Sequence, residues 1–280
     1  MQTRPQPSFL RILRPNFLLI APLLAESLLA QSPAHAPVAS PSALRLPATA
    51  RITLDGRLAE PAWASATAIN DFRQYDPEVG APATERTELR VLYDSSTLYF
   101  AIKAFDAKPA DVIARILSRD RIMAQDDFSG QLNFAGDDGV AILIDPFRDR
   151  RNAVVFATNP NGAEFDAQIT DQGREVNVAW RTVWRVAAAR TDSGWSAEFE
   201  IPMRSIRHPD DGRAWGLNVY RVIRRKNEHV MWRSWSRDNA GFLKVSEAGD
   251  LPGIQGLARE GTGVELKTSA IGRAVRGDVD

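Results

Sequence analysis

Residues 52–63 read ITLDGRLAEPAW, and this stretch decides how the rest of the chain is interpreted. A short alternating run leads into the turn-forming pair Asp55 and Gly56, and Glu60 and Trp63 follow. Acidic groups beside a tryptophan are compatible with a catalytic unit, a binding unit or a purely structural element. We interpret the stretch as the first strand and turn of a β-sandwich, with Trp63 packing at the rim of the core.

Downstream of this stretch, apolar and polar residues alternate with a period of two, which is typical of half-buried strands. Two alternating runs within 87–106 flank an Asp-Ser-Ser turn and predict a hairpin. The run GVAILIDP at 139–146 is almost continuously apolar and predicts a buried central strand. Further strands are predicted at 152–160, 163–171, 182–191, 194–202, 215–225 and 228–235.

Helical periodicity is confined to 109–117, and 203–206 predicts a single helical turn. Short strands separated by turn signals about every ten residues predict an all-β fold. We expect an antiparallel, jelly-roll-like β-sandwich of about nine to eleven strands over residues 50–257. A Pro- and Ala-rich linker is expected at 31–49 and a C-terminal tail at 258–280.

Residues 1–30 have the pattern of a signal peptide, with three arginines ahead of an apolar run that starts at Asn16. Cleavage is expected after Ala30, with Ala36 as the competing position. An uncleaved anchor is the alternative, although a proline and a glutamate interrupt the run and it falls short of the roughly 20 apolar residues that a span needs. We therefore expect export to the periplasm, the outer membrane or the exterior of a Gram-negative bacterium.

The charge balance and the residue counts exclude several kinds of function. The chain has 35 basic and 35 acidic side chains, which gives no electrostatic reason to expect nucleic-acid binding. It contains no cysteine, so disulfides, thiolate metal sites and cysteine nucleophiles are excluded. Of its three histidines, His35 lies before the competing cleavage position at Ala36, and cleavage there would leave two, too few for a three-histidine zinc site.

Paired acidic residues flank a glycine-containing loop. They are Asp126, Asp127, Asp137 and Asp138. Carboxylate clusters can bind calcium, carboxylate pairs can hydrolyse glycosidic bonds, and acidic loop residues can simply be solvated turn formers. Calcium is the candidate cofactor, although no D-x-D-x-D-G loop is present.

Seven tryptophans are the other conspicuous feature. Trp63, Trp195 and Trp215 lie in or beside strand patterns and are expected in the core. Four more lie near strand ends, where core packing and a flat aromatic platform for a sugar ring are both open interpretations. These are Trp180, Trp184, Trp232 and Trp235.

The order of these signals carries a family resemblance. ITLDGRLAEPAW is followed by TELRVLYDSSTLYFAIKAFD, DDGVAILIDP, ATNPNGAEFD, GWSAEFEIP, WGLNVYRVIRRKNE and AGDLPGIQGL. Over residues 48–257 the chain resembles the carbohydrate-binding module family 9-like domains of secreted and outer-membrane bacterial proteins. The resemblance implies an antiparallel sandwich, a glycan site between two aromatic rings, and a structural calcium ion.

At the positions that contact sugar in the best-known members, this chain mostly carries different residues. The acidic residue falls on Ala141, the arginine on Ala157 and the first aromatic on Ala135, whereas Asn159 is kept and the second aromatic falls near Phe242. Replacing a carboxylate and an arginine by alanine removes charge-assisted hydrogen bonds to sugar hydroxyls. We therefore expect sugar binding to differ from those members. The residues expected to contact a saccharide are Trp180, Trp184, Trp232, Trp235, Phe242 and Asn159.

The chain is similar to a subgroup in which the sandwich precedes an outer-membrane β-barrel. Only about 20 residues follow the sandwich, too few for even eight strands, so we expect a shortened member or the front part of a longer protein. Three functions are open. The first is a non-catalytic domain that binds a polysaccharide or oligosaccharide, tied to its breakdown or uptake. The second is an interaction domain of an outer-membrane barrel protein. The third is a glycoside hydrolase that uses a pair such as Asp138 and Asp166.

Overall fold

Two β-sheets stacked face to face form the framework. The computed structural model describes residues 41–121, 132–237 and 241–257, and these ranges contain thirteen strands and one short α-helix. In chain order the elements are β1 (Leu44–Arg45), α1 (Pro61–Ser65), β2 (Arg73–Asp76), β3 (Thr87–Tyr93), β4 (Thr97–Phe105), β5 (Gly139–Asp145), β6 (Ala153–Thr158), β7 (Glu164–Thr170), β8 (Glu175–Asn177), β9 (Arg185–Thr191), β10 (Gly194–Pro202), β11 (Trp215–Ile223), β12 (Glu228–Met231) and β13 (Gly249–Leu251).

The smaller sheet has the strand order β1-β3-β4-β10-β9, and the larger has the order β2-β12-β11-β5-β6-β7-β8, with β13 pairing with β11. Apart from the parallel pair β1 and β3, neighbouring strands are antiparallel. The antiparallel all-β sandwich is confirmed. The described residues contain more strands than the nine to eleven predicted, because β1, β2, β8 and β13 are too short to show alternation.

The main core lies between the two sheets. Phe100 on β4 and Phe199 on β10 are registered opposite each other in the smaller sheet, and their side chains pack towards Ile142 and Val219 of the larger sheet. A second apolar cluster covers the other face of the larger sheet, around Tyr220 on β11. Both faces of β5 are therefore buried, which explains why GVAILID carries no polar alternation.

The stretch 52–63 packs on the outer face of the smaller sheet. It forms no strand, which corrects the expectation at 52–54. Instead, the buried carboxylate of Glu198 accepts hydrogen bonds from the Gly56 amide at 2.8 Å, the Asp55 amide at 3.0 Å and Trp63 Nε1 at 2.9 Å. The predicted turn and the burial of Trp63 are confirmed: Gly56 has φ +80°, and Trp63 is 2% exposed.

Gly56 is required at this turn by space as well as by its backbone angle. A Cβ atom at this position would lie 2.7 Å from the carbonyl carbon of Ala188 on β9. The turn is therefore pressed directly against the backbone of the smaller sheet.

Segment 109–117 is not a helix beyond a 3₁₀ turn at Pro109–Asp111. Its later amides donate to carboxylates elsewhere: Ile113 to Asp138 at 2.7 Å, and Arg115 and Ile116 to Asp137 at 3.0 Å each. Amides used in this way cannot form the hydrogen bonds of an α-helix. The single helical turn expected after β10 is confirmed as a 3₁₀ turn at Met203–Ser205. Within the described ranges no helix is long and apolar enough to cross a membrane.

Candidate functional site

An open cleft lies beside the segment that joins β8 to β9, and we refer to it as the Trp180 cleft. Its volume is about 450 Å³, which is within the usual range for small-ligand sites. The lining residues come from four parts of the chain: Pro146, Phe147, Asn152, Ala153, Val154, Gln168, Trp180, Thr182, Arg204, Ser205, Ile206 and Arg207.

Trp180 stands at the end of a row of aromatic rings. Its ring centre is 6.2 Å from that of Phe156 on β6, which is 5.0 Å from Trp184, both with edge-to-face geometry. Trp184 in turn stacks on Phe199 of β10 at 5.9 Å and an interplanar angle of 7°. The row runs from the smaller sheet through the core to the larger sheet, so Trp180 is supported from behind while remaining half-buried at the surface.

A buried carboxylate fixes the backbone next to Trp180. Asp166 on β7 is fully buried and accepts the Thr182 amide at 2.8 Å and Arg119 Nη2 at 2.7 Å. The other nitrogen, Arg119 Nη1, donates to Glu164 at 2.6 Å. Burial would lower the pKa of Arg119, but its hydrogen bond to Asp166 and the charges of both acids raise it overall. The guanidinium is therefore a permanent cation that holds this loop in place.

The cleft combines an apolar floor with polar side chains at its rim. Val154 and Ile206 form part of the floor, and Phe147 adds a second aromatic side chain that is 43% exposed. Gln168 supplies its amide group at the rim, and Asn152 supplies its Oδ1 atom, because Asn152 Nδ2 donates to Asp149 at 2.7 Å. Exposed aromatic surface beside hydrogen-bonding amides suits a ligand with apolar ring faces and many hydroxyl groups.

Sequence reasoning found Trp180 but missed the other residues of the cleft. Gln168 lies on β7, Phe147 follows β5, and Ile206 follows the 3₁₀ turn after β10. Their only sequence signal was the predicted turn at 203–206, and nothing in the local pattern connects that turn to residue 180. Tertiary folding brings these residues together.

The structure places the other predicted aromatic contacts mostly in the interior. Trp184, Trp232 and Phe242 are at most 3% exposed, and protein atoms therefore cover their ring faces. Trp235 is half-buried, with the Arg73 guanidinium 5.9 Å from its ring centre. A Cβ atom on Gly80 would lie 2.9 Å from Cζ3 of Trp235. Only Trp180 and Trp235 of the predicted set have ring surface available for a ligand.

The positions that the family resemblance assigns to sugar contact do meet in space. Ala141 and Ala157 are cross-strand partners on β5 and β6, and both are fully buried. Tyr220 pairs with Ala141 from the other side, and its ring packs against Phe134 at 6.4 Å and Phe242 at 5.4 Å. The protein's own side chains therefore occupy this place in the fold, and a ligand would have to bind elsewhere.

The kept asparagine and the predicted acidic pair act as loop clamps. Asn159 Nδ2 donates to Asp137 at 2.9 Å and to the Ile116 carbonyl at 2.8 Å, while Asn159 Oδ1 accepts two amides of its own turn. Asp138 accepts the amides of Ile113 and Arg224. Among the described residues no group of three or more His, Cys, Asp or Glu could hold a metal ion. Two further predicted ligands, Asp126 and Asp127, lie outside the described residues, so calcium binding stays a prediction.

Comparison with known proteins yields both a family match and structural neighbours. A family 9 carbohydrate-binding module from Caldicellulosiruptor kristjanssonii in complex with cellotriose is 13% identical, with 81% of this chain and 99% of that chain covered and a TM-score of 0.48. A family 9 module from the same organism in complex with glucose is 12% identical, with 80% of this chain and 99% of that chain covered and a TM-score of 0.48. A Bacteroides uniformis protein provisionally assigned as carbohydrate-binding is 14% identical, with 68% of this chain and 88% of that chain covered and a TM-score of 0.47.

A search of curated proteins returned no match. The family model described as "Carbohydrate family 9 binding domain-like" matches residues 54–241, which is about two thirds of the chain. The match begins within the stretch 52–63, at the residue before Asp55, and includes every residue that lines the Trp180 cleft. The chain belongs to the carbohydrate family 9 binding domain-like family.

Proposed function

We propose that this protein is a non-catalytic saccharide-binding domain that uses the Trp180 cleft. The observation that carries the proposal is that Trp180 and Phe147, two aromatic side chains with exposed surface, share one opening of about 450 Å³ with the amide of Gln168 and the Oδ1 atom of Asn152. Stacking on a sugar ring and hydrogen bonding to its hydroxyls need these two kinds of group side by side.

The proposal extends to the setting in which the domain works. The signal-peptide pattern of residues 1–30 supports export from a Gram-negative bacterium, to the periplasm, the outer membrane or the exterior. In that setting the partner is a polysaccharide or oligosaccharide, and binding serves its breakdown or uptake. Relatives in complex with cellotriose and glucose give saccharides as the first class of ligand to try.

A glycan array followed by calorimetric titration tests the proposal. Hits from the array are titrated against the wild type and against Trp180→Ala, with Trp235→Ala as the matched control because Trp235 is the other half-buried tryptophan. Losing a stacking aromatic weakens binding at least about tenfold. Loss of affinity in Trp180→Ala alone supports the cleft. Equal saccharide affinity in both variants and the wild type would show that the saccharide does not bind in the cleft.

A second candidate is an interaction domain of an outer-membrane β-barrel protein, without a sugar site. The burial of Ala141 and Ala157 at the positions that the resemblance assigns to sugar contact favours it. No binding to any soluble or insoluble glycan on the array would leave this candidate as the better account and would reject the first.

The carboxylates predicted for glycoside hydrolysis have structural partners. Asp138 is 1% exposed and Asp166 is fully buried, and each holds the backbone of a different loop. Hydrolysis of O-glycosyl bonds by the wild type that is lost in Asp138→Asn would reinstate the enzyme hypothesis.

A further inference from the structure

The charged groups that line the Trp180 cleft are all of one sign. They are Arg204 and Arg207, and no carboxylate lines the opening. The whole chain carries 35 basic and 35 acidic groups, so this local excess of positive charge is not a consequence of composition. Two cations at the mouth of an aromatic cleft attract a negatively charged ligand.

Both arginines are free to take a ligand. Ion pairs hold many other arginines, such as Arg185 with Glu200 at 2.6 Å and Arg119 with Glu164 at 2.6 Å. Among the residues that the structure describes, neither Arg204 nor Arg207 has an ion-pair partner, and both side chains are exposed. Their donors are therefore available, whereas those of Arg185 and Arg119 are engaged.

The fold sets the two arginines at the cleft by anchoring the residue that precedes each of them. Met203 and Ile206 are buried, with 2% and 4% exposure, and the Met203 amide donates to the Ser96 carbonyl at 2.7 Å. Core packing of these two side chains directs the intervening arginine and the following one outward. The arginines therefore extend from a fixed turn and not from a loose loop.

Two further hydrogen bonds tie this turn to the Trp180 segment. Thr182 Oγ1 donates to the Ser205 carbonyl at 3.0 Å, and Ser205 Oγ donates to the Val183 carbonyl. The arginines and the tryptophan consequently keep their positions relative to each other. A ligand that stacks on Trp180 lies in the same cleft that both arginines line.

We infer that the saccharide bound in the Trp180 cleft is anionic, carrying a carboxylate or a sulfate ester that Arg204 and Arg207 recognise. Guanidinium groups bind such oxyanions through paired, charge-assisted hydrogen bonds. The inference rests on the proposed function, since it names the ligand class of the same site. A neutral oligosaccharide would leave both cations without a counter-charge.

The test is calorimetric titration of the full chain with three trisaccharide probes of equal length: an oligogalacturonate, a sulfated galactan fragment and cellotriose. The inference predicts that one acidic probe binds at least about tenfold more tightly than cellotriose. Raising the salt concentration from about 0.05 M to about 0.5 M should weaken binding of the acidic probe and leave cellotriose unchanged. The two acidic probes separate a carboxylate preference from a sulfate preference.

Variants identify the residues responsible. The double variant Arg204→Gln/Arg207→Gln should lose the preference for the acidic probe. Arg57 is an exposed arginine outside this cleft, and the control variant Arg57→Gln should keep the preference. All three side chains are exposed, and unchanged thermal unfolding would show that the variants fold. Cellotriose bound as tightly as the acidic probes, or a preference that survives the double substitution, overturns the inference while the proposed function stands. No binding to any of the three probes or to any glycan on the array overturns both the inference and the proposed function.

Discussion

At the scale of single residues, one carboxylate explains why the stretch 52–63 identifies the fold. Glu198 is fully buried on β10, and it holds two backbone amides and the indole of Trp63. Burial raises the pKa of the Glu198 carboxyl even though these three donors oppose the shift. The acidic groups that made the stretch look catalytic, Asp55 and Glu60, play no part in this clamp with their side chains.

Trp63→Ala should lower the free energy of unfolding by about 3–5 kcal/mol, the usual cost of removing a large buried aromatic. The variant also leaves Glu198 Oε1 without the 2.9 Å indole donor. Urea denaturation measures the loss. Trp63→Phe keeps an aromatic ring but has no N–H donor, so its free energy of unfolding should lie between those of the wild type and Trp63→Ala. Saccharide affinity of the folded fraction should be unchanged. An unchanged melting temperature would contradict this account of the stretch.

A buried histidine should make stability depend on pH. His229 on β12 contacts the hydroxyl of Tyr220, and burial lowers its pKa below the ordinary 6.5, with the charge of Arg224 acting in the same direction and Asp76 opposing it. Between the folded pKa and 6.5 the unfolded chain binds more protons, so stability falls as the solution is acidified.

Urea denaturation of the wild type and of His229→Gln between pH 7 and pH 5 checks this sign. The wild type should lose more stability than the variant over that interval, by at most about 1.4 kcal/mol per pH unit for one titrating group. Equal losses in the two proteins would show that His229 does not titrate differently in the folded state.

At the scale of elements, side-chain carboxylates override local helix propensity. Residues 109–117 carry a helical pattern, yet Asp137 and Asp138 take the amides of Ile113, Arg115 and Ile116 from the loop before β5. Hydrogen bonds to charged acceptors contribute about 1.5–3 kcal/mol each. This exceeds the helix propensity of a few residues, so the segment forms no α-helix.

Asp137→Ala should therefore release this segment. Hydrogen exchange at the amides of Arg115 and Ile116 should accelerate at least about tenfold. Asp149→Ala is the matched control, because Asp149 holds the amides of Arg151 and Asn152 in the turn after β5. Unchanged exchange at Arg115 in Asp137→Ala would mean that the clamp does not stabilise the segment.

At the scale of the whole molecule, the strands and buried positions that the sequence predicts correctly are those with a clear local pattern of apolar and polar residues. The long strands β3 to β7 and β9 to β11 and the burial of Trp195 and Trp215 follow from periodicity and are confirmed. The strand expected at 52–54 and the helix at 109–117 fail for one reason. In both places a side-chain carboxylate takes a backbone amide: Glu60 accepts the Thr53 amide at 2.8 Å, and Asp137 accepts the Ile116 amide at 3.0 Å.

The cleft could be predicted only in part. Trp180 carried an aromatic signal, but Trp184, four residues later, carried the same signal and lies in the core at 3% exposure. The partners of Trp180 come from β7 and from the turn after β10, and their approach depends on the pairing of sheets and loops far apart in sequence. Local periodicity contains no information about that approach.

The central claim is that a saccharide binds at Trp180, and the indole N–H signals of the seven tryptophans test it most directly. Titration of the ¹⁵N-labelled protein with an oligosaccharide found on the array should shift the Trp180 indole signal. Assignment follows from its disappearance in Trp180→Phe. The signals of Trp195 and Trp215 in the core should stay in place. Shifts centred on Trp235 with Trp180 unchanged would contradict the account.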